Sequence, residues 1–272
     1  MKRDTYADRF LSGQELWGDD FTDEQIQEWF ADEREAYADL GSAEPRTPYG
    51  YNGINSFLGF RTLPRRRFSH ALGVGSSFGE EFLPILHAVD RITILEPSDR
   101  LRSTNLQGFP LEYVKPVPSG EMPFEAGAFD LVLCLGVLHH VPNVSRVVGE
   151  IGRVLAPGGW VVLREPVVSM GDWRSPRKPG LTLRERGIPR HIFETAVDQA
   201  GLSIRSSVFC MSPMTSRIGR AVRRNLYATQ TGAFVDRTLA VTTAWNYRYH
   251  ATRAWQKIRP TNVFITAERR GD

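Results

Sequence analysis

Ala71-Leu72-Gly73-Val74-Gly75-Ser76-Ser77-Phe78-Gly79 decides the fold of this chain. An apolar run enters a glycine-rich turn, and Phe78, Phe82, Ile85 and Leu86 follow at spacings that predict a helix. Glycines at 73 and 75 let a ligand approach the backbone closely. Ser77 and Glu80 stand at capping-box spacing, so the helix is predicted to aim its amide-rich N-terminus at an anion. The next apolar run, Arg91 to Leu95, reads as a strand and ends at Glu96, 21 residues after Gly75. An acid at that place can accept both hydroxyls of a ribose. Together the turn and Glu96 point to a ligand that contains adenosine.

Outward from this stretch, strand and helix alternate. Ser69 to Leu72 reads as the first strand, and Leu111 to Val114 as the third. Phe129 to Leu135 is nearly all apolar, as in a strand buried on both faces. Val144, Val147, Val148, Ile151, Val154 and Leu155 share one helical stripe, which Pro157-Gly158-Gly159 ends. Trp160 to Leu163, Leu202 to Phe209 and Asn262 to Ala267 complete the strands, with a helix between Pro189 and Gly201. The expected architecture is α/β, a doubly wound, Rossmann-like, mostly parallel sheet. Residues 46–210 would form its core and 261–272 its last strand. Residues 211–260 interrupt it as a basic helical insert, a substrate lid by position. Residues 1–45 form an acidic helical extension. There Thr22-Asp-Glu-Gln25 matches a capping box, Phe21 and Ile26 a hydrophobic staple, and Ile26, Trp29, Phe30, Tyr37 and Leu40 a helical stripe. Gly41 to Tyr51 reads as the linker.

Composition narrows the function. The chain has 272 residues, 41% hydrophobic and 24% charged, which is ordinary for a globular protein. Its longest apolar run, Leu131 to Leu138, falls far short of the roughly 20 residues that span a bilayer. The start, Met-Lys-Arg-Asp, leads into no apolar segment, so a cytoplasmic protein is expected. Two cysteines, Cys134 and Cys210, support no disulfide framework, and no His, Cys, Asp or Glu cluster stands at metal-ligand spacing. The net charge of +3 hides an asymmetry. Residues 1–45 carry thirteen acids against four bases, and residues 211–260 carry nine bases against Asp236 alone.

A dinucleotide fingerprint would need glycine where Phe78 stands. The downstream motifs point elsewhere. Met122-Pro-Phe-Glu-Ala-Gly-Ala-Phe-Asp-Leu-Val132, Leu138-His139-His140 and Arg153-Val-Leu-Ala-Pro-Gly-Gly-Trp-Val-Val-Leu163 resemble the class I S-adenosylmethionine-dependent methyltransferases. The resemblance runs from about Tyr49 to Arg164 and is strongest to the small-molecule enzymes with a Leu-His-His motif. It implies that Gly73-Val74-Gly75 passes under the methionine part of S-adenosylmethionine. Glu96 would bind the ribose, with Pro97 beside the adenine. Ser119 to Met122 would flank the adenine edge, and Cys134 and Leu135 would lie near the amino group and sulfonium. His139 and His140 would stand at the acceptor's entrance, where a neutral histidine suits general-base work near pH 7. Three positions depart from the family: Ala71 and Pro118 replace acids, and Ser77 replaces a glycine.

In the insert, Arg220, Arg223 and Arg224 suit phosphate or carboxylate recognition, and Trp245, Tyr247, Tyr249 and Trp255 offer flat surfaces. The acidic first 45 residues disfavour a long polyanion, so nucleic acid fits less well than a small anionic or glycan-type acceptor. Contact with a membrane surface and the oligomeric state stay open. Two other functions remain beside methyl transfer to such an acceptor: a non-catalytic module that binds S-adenosylmethionine or S-adenosylhomocysteine, and an RNA methyltransferase.

Overall fold

The computed structural model describes residues 5–41, 49–171 and 180–271. Most of the expected linker, residues 42–48, lies outside the described residues, as do the side chains of Tyr37 and Leu40. Eight strands form one sheet: β1 (Ala71–Val74), β2 (Ile92–Leu95), β3 (Asn105–Leu106), β4 (Phe109–Val114), β5 (Phe129–Leu135), β6 (Leu155–Pro166), β7 (Leu202–Cys210) and β8 (Asn262–Arg269). Their order is β3-β4-β2-β1-β5-β6-β8-β7. Strands β4, β2, β1, β5 and β6 are parallel neighbours, and β8 lies antiparallel between β6 and β7. The chain leaves β1 toward β2 and β4, then returns to place β5 on β1's other side. The switch point of this doubly wound sheet therefore falls between β1 and β5, where such sheets bind ligands.

The helices are α1 (Thr5–Leu11), α2 (Asp23–Glu33), α3 (Ala36–Gly41), α4 (Asn52–Ile54), α5 (Val144–Val154), α6 (Arg190–Gln199), α7 (Pro213–Ala221) and α8 (Gln230–Thr243). Alternate side chains of the central strands feed two cores. Leu72, Val132 and Leu163 pack with the apolar stripe of α5 and with Phe193 and Val197 of α6. On the other face Ala71, Ile92, Leu131 and Phe264 pack with Ile54, Phe82 and Ala233. Helices α7 and α8 lie between β7 and β8, where an insert was expected. Buried Asp236 of α8 ties them to the sheet by accepting from the amides of Met211 and Ser212 and the hydroxyl of Thr215.

Several local expectations are corrected. Helix α1 precedes the capping box at Thr22, which forms as expected with Gln25. The segment after the glycine turn is a 3-10 helix, Glu80–Ala88, because Pro84 inside it cannot donate to an α-helical ladder. Gly79, in the left-handed region at φ 77°, occupies its N-cap position without a side-chain bond. The Ser77–Glu80 capping box therefore does not form, and the amide of Ser77 turns to Glu96 instead. Strand β6 begins at Leu155 and includes Pro157-Gly158-Gly159, so that turn signal marks an irregular strand start. The hairpin strand β3, only two residues long and antiparallel to β4, is too short to show a strand periodicity.

Candidate active site

The residues expected to hold a cofactor gather along the carboxyl ends of β1, β2 and β5. Gly75 has φ 60°, and a Cβ there would lie 2.6 Å from Val137, which follows β5. Only glycine lets the two loops meet this closely. Any side chain at position 73 would strike the Ser76 hydroxyl, itself 2.5 Å from the Glu81 carboxylate. Glu96, at the end of β2, accepts from the amides of Ser77 at 3.2 Å and Ser98 at 3.0 Å. Burial pushes both carboxyls, Glu81 and Glu96, up to about 7. Pro97 is half-buried beside Glu96. Cys134 is fully buried in the core, so only its backbone can face a ligand, and the carbonyl of Leu135 accepts from buried Arg164.

Beyond β4, the Ser119–Met122 loop is fixed at both ends. Arg153 donates to the carbonyls of Met122 and Phe124, while Glu150 accepts from the Met122 amide. Asn143 donates to the Ser119 carbonyl at 2.7 Å, yet its buried Oδ1 has no hydrogen-bond partner among the described residues.

An adenosylated cofactor can be tested against these groups. A carboxylate has about four acceptor positions, and the two amide bonds leave Glu96 capacity for ribose hydroxyls. The orphaned Asn143 Oδ1 suits an amine donor such as that of adenine. At the ammonium end Ala71 supplies no charge. The donors and acceptors fit an adenosine, and they fit the amino acid end less fully.

After β5, Leu138–His140 form a 3-10 turn that two residues distant in sequence hold rigid. Glu165, fully buried, accepts from the amides of Val137 and Leu138, both at 2.8 Å, and from His139 Nδ1 at 2.8 Å. Arg186, equally buried, donates to the carbonyls of Leu138, His139, Val141 and Pro142, and to Trp17 of the extension. His140 Nδ1 lies 2.9 Å from Glu33 of α2. Glu185 Oε1 is 3.4 Å from the Nε2 of each histidine. Burial opposes charge on His139, but Glu165 and Glu185 outweigh it and hold the imidazole up to about 9. His140 is lowered by burial and by the neighbouring His139, so it is the neutral member. None of the four partners was found from sequence, because separations of 26 to 107 residues leave no local pattern. The expectation of no metal cluster rested on the same linear spacing. The fold brings together donor atoms of His139, His140 and Glu185 within 4.8 Å of one another.

The insert's arginines form a separate feature. Arg220, Arg223 and Arg224 are exposed and line a cavity of about 520 Å³ with Ser216 and Tyr227. Tyr247 and Tyr249 are packing residues, bonded to the carbonyls of Val167 and Gly187, whereas Trp245 is 78% exposed. The acidic extension pairs instead with Arg184, through Glu28 and Asp32, and with Arg100.

A doubly wound sheet with a glycine turn after β1 and an acid closing β2 is a Rossmann-like nucleotide-binding arrangement. Residues 72–163, about a third of the chain, match the family model described as "Methyltransferase domain". Over 55 residues the chain is 42% identical to a ubiquinone biosynthesis O-methyltransferase of Bordetella avium, covering 20% of this chain and 22% of that protein. The chain thus matches about a fifth of that relative's length. Among solved structures, the 4+2 cyclase SpnF aligns with a TM-score of 0.55 at 15% identity, over 94% of this chain and 99% of that one. A putative S-adenosylmethionine-dependent methyltransferase from Listeria monocytogenes aligns at TM-score 0.54 and 14% identity, over 80% and 99%. At such identities the likeness is one of fold.

Proposed function

We propose that the chain transfers a methyl group from S-adenosylmethionine to a small, anionic acceptor of small-molecule or glycan type. The observation that carries this reading is Glu96, placed at the end of β2 with acceptor capacity beside the β1 glycine turn. Glu96 would hold the ribose and Asn143 Oδ1 the adenine amine, with Pro97 and the Ser119–Met122 loop around the base. Gly73-Val74-Gly75 and the backbone of Cys134 and Leu135 would line the methionine end. When bound, the cofactor supplies a methyl group already activated on a sulfonium. The chain's own task is to align the acceptor, exclude water and, for an oxygen acceptor, receive a proton. Neutral His140 suits that last step, whereas His139, charged between Glu165 and Glu185, holds the loop in place. The arginines of the insert would select the acceptor's anionic group.

The replaced acids at Ala71 and Pro118 favour one rival, a module that binds the cofactor without turning it over. The cyclase among the fold neighbours is a reminder that this architecture is not tied to one reaction. Labelled-methyl transfer over phosphorylated sugars, glycolipids and carboxylated natural-product scaffolds separates the two. Transfer with one S-adenosylhomocysteine formed per methyl supports the enzyme. Tight S-adenosylhomocysteine binding with no transfer to any of them supports the module.

A further inference from the structure

We infer that His139, His140 and Glu185 form a binding site for a divalent first-row transition cation. The two histidines are oriented as metal ligands are. Each Nδ1 faces a buried carboxylate, Glu165 at 2.8 Å and Glu33 at 2.9 Å. This carboxylate–histidine pairing fixes the ring and directs the other nitrogen outward. Each Nε2 lies 3.4 Å from the same Glu185 oxygen, Oε1, and the three donor atoms fall within 4.8 Å of one another. The other oxygen, Oε2, accepts from the Thr182 amide at 2.9 Å, which fixes the carboxylate's orientation.

The spacing fits a cation better than a direct contact. At 3.4 Å a nitrogen and a carboxylate oxygen are too far apart for a strong charged hydrogen bond. Ligands about 2.1 Å from a tetrahedral centre stand roughly 3.4 Å from one another. Charge points the same way. Three buried or nearly buried carboxylates, Glu33, Glu165 and Glu185, surround two imidazoles. Arg186 spends its donors on backbone carbonyls rather than on these acids. Two imidazoles and one carboxylate suit Zn²⁺, Mn²⁺, Fe²⁺ or Co²⁺, and three protein ligands leave a position for water or another oxygen ligand. A bound cation would take both Nε2 lone pairs, so the histidines would then serve as ligands and not as a base. The inference rests on this geometry and does not depend on methyl transfer.

The full chain, stripped with a chelator and dialysed, is titrated with CoCl₂ while visible absorption and heat are recorded. S-adenosylhomocysteine binding is measured on the same samples, so failure of the cofactor reading would show separately. One equivalent of Co²⁺ with d–d bands, displaced by Zn²⁺, is expected. Glu185→Gln and His140→Gln should each weaken it at least tenfold. Glu33→Gln, which leaves all three ligands in place, should weaken it roughly 10–100-fold. A wild-type chain that takes up no stoichiometric Co²⁺ overturns the inference whatever the variants do. Uptake that persists unchanged in all three variants overturns it too.

Discussion

Glu96 and Arg186 show how single buried charges shape the site. The Glu96 carboxyl is held up to about 7 by burial, while ribose hydroxyls would donate to its ionised form. Cofactor binding should therefore expel a proton near pH 6 and tighten several-fold between pH 6 and 7.5. Glu96→Gln should flatten that profile, as calorimetry in buffers of different ionisation heat would record. Arg186 is pulled down to about 10 by burial and remains charged at neutral pH. Its replacement by methionine would leave four buried loop carbonyls without their donor. A loss of at least about 3 kcal/mol is expected from urea unfolding. Neither Arg186 nor Glu165 was legible in the sequence. A lone arginine in an irregular stretch and an acid at a strand end look like surface residues until the fold brings the histidine loop to them.

Among the elements, those with long apolar patterns were read well. Phe129 to Leu135 and the α5 stripe appear where their periodicity put them, because burial on both faces or one face dictates those patterns. The segment after the glycine turn was misread, since Phe82 and Ile85 keep a helix-like spacing in a 3-10 helix. Pro84 was the available signal. The turn itself gives a sharper test. Gly75→Ala would force a side chain into the left-handed region and against Val137. A cost of about 1–3 kcal/mol is expected. Adding Val137→Ala should relieve the collision and leave the backbone strain, so stability should recover only in part. Full recovery would show that conformation is not what position 75 requires.

Across the whole molecule, the acidic and basic segments do different work. The described ion pairs that tie the extension to the rest of the chain run to Arg184, Arg100 and His140, and none joins the insert's cavity arginines. Replacing Arg220, Arg223 and Arg224 together should therefore raise the acceptor KM and spare thermal stability. Added salt should mimic the change, because exposed charges are screened over about 8–10 Å. A triple variant that loses stability but keeps its KM would assign the arginines to packing. The pH profile of stability also follows from the interior. Glu81 and Glu96, raised from 4.5 to about 7, and His139, raised from 6.5 to about 9, hold protons that the unfolded chain releases. Their contribution is complete below the unfolded values and is lost as pH climbs through the folded ones. Glu33, Glu165 and Glu185, held low, lose theirs on acidification. The thermal midpoint should peak near pH 5 and fall toward pH 9.

Methyl transfer by this chain requires an adenosylated cofactor at the carboxyl ends of β1 and β2. Titration calorimetry of S-adenosylhomocysteine into the wild-type chain and Glu96→Ala tests that most directly. The expected result is one bound equivalent, weakened at least tenfold by the substitution, since charge-assisted hydrogen bonds are worth roughly 1.5–3 kcal/mol each. Equal affinity in the two proteins, or no binding to a folded wild-type chain, would contradict it.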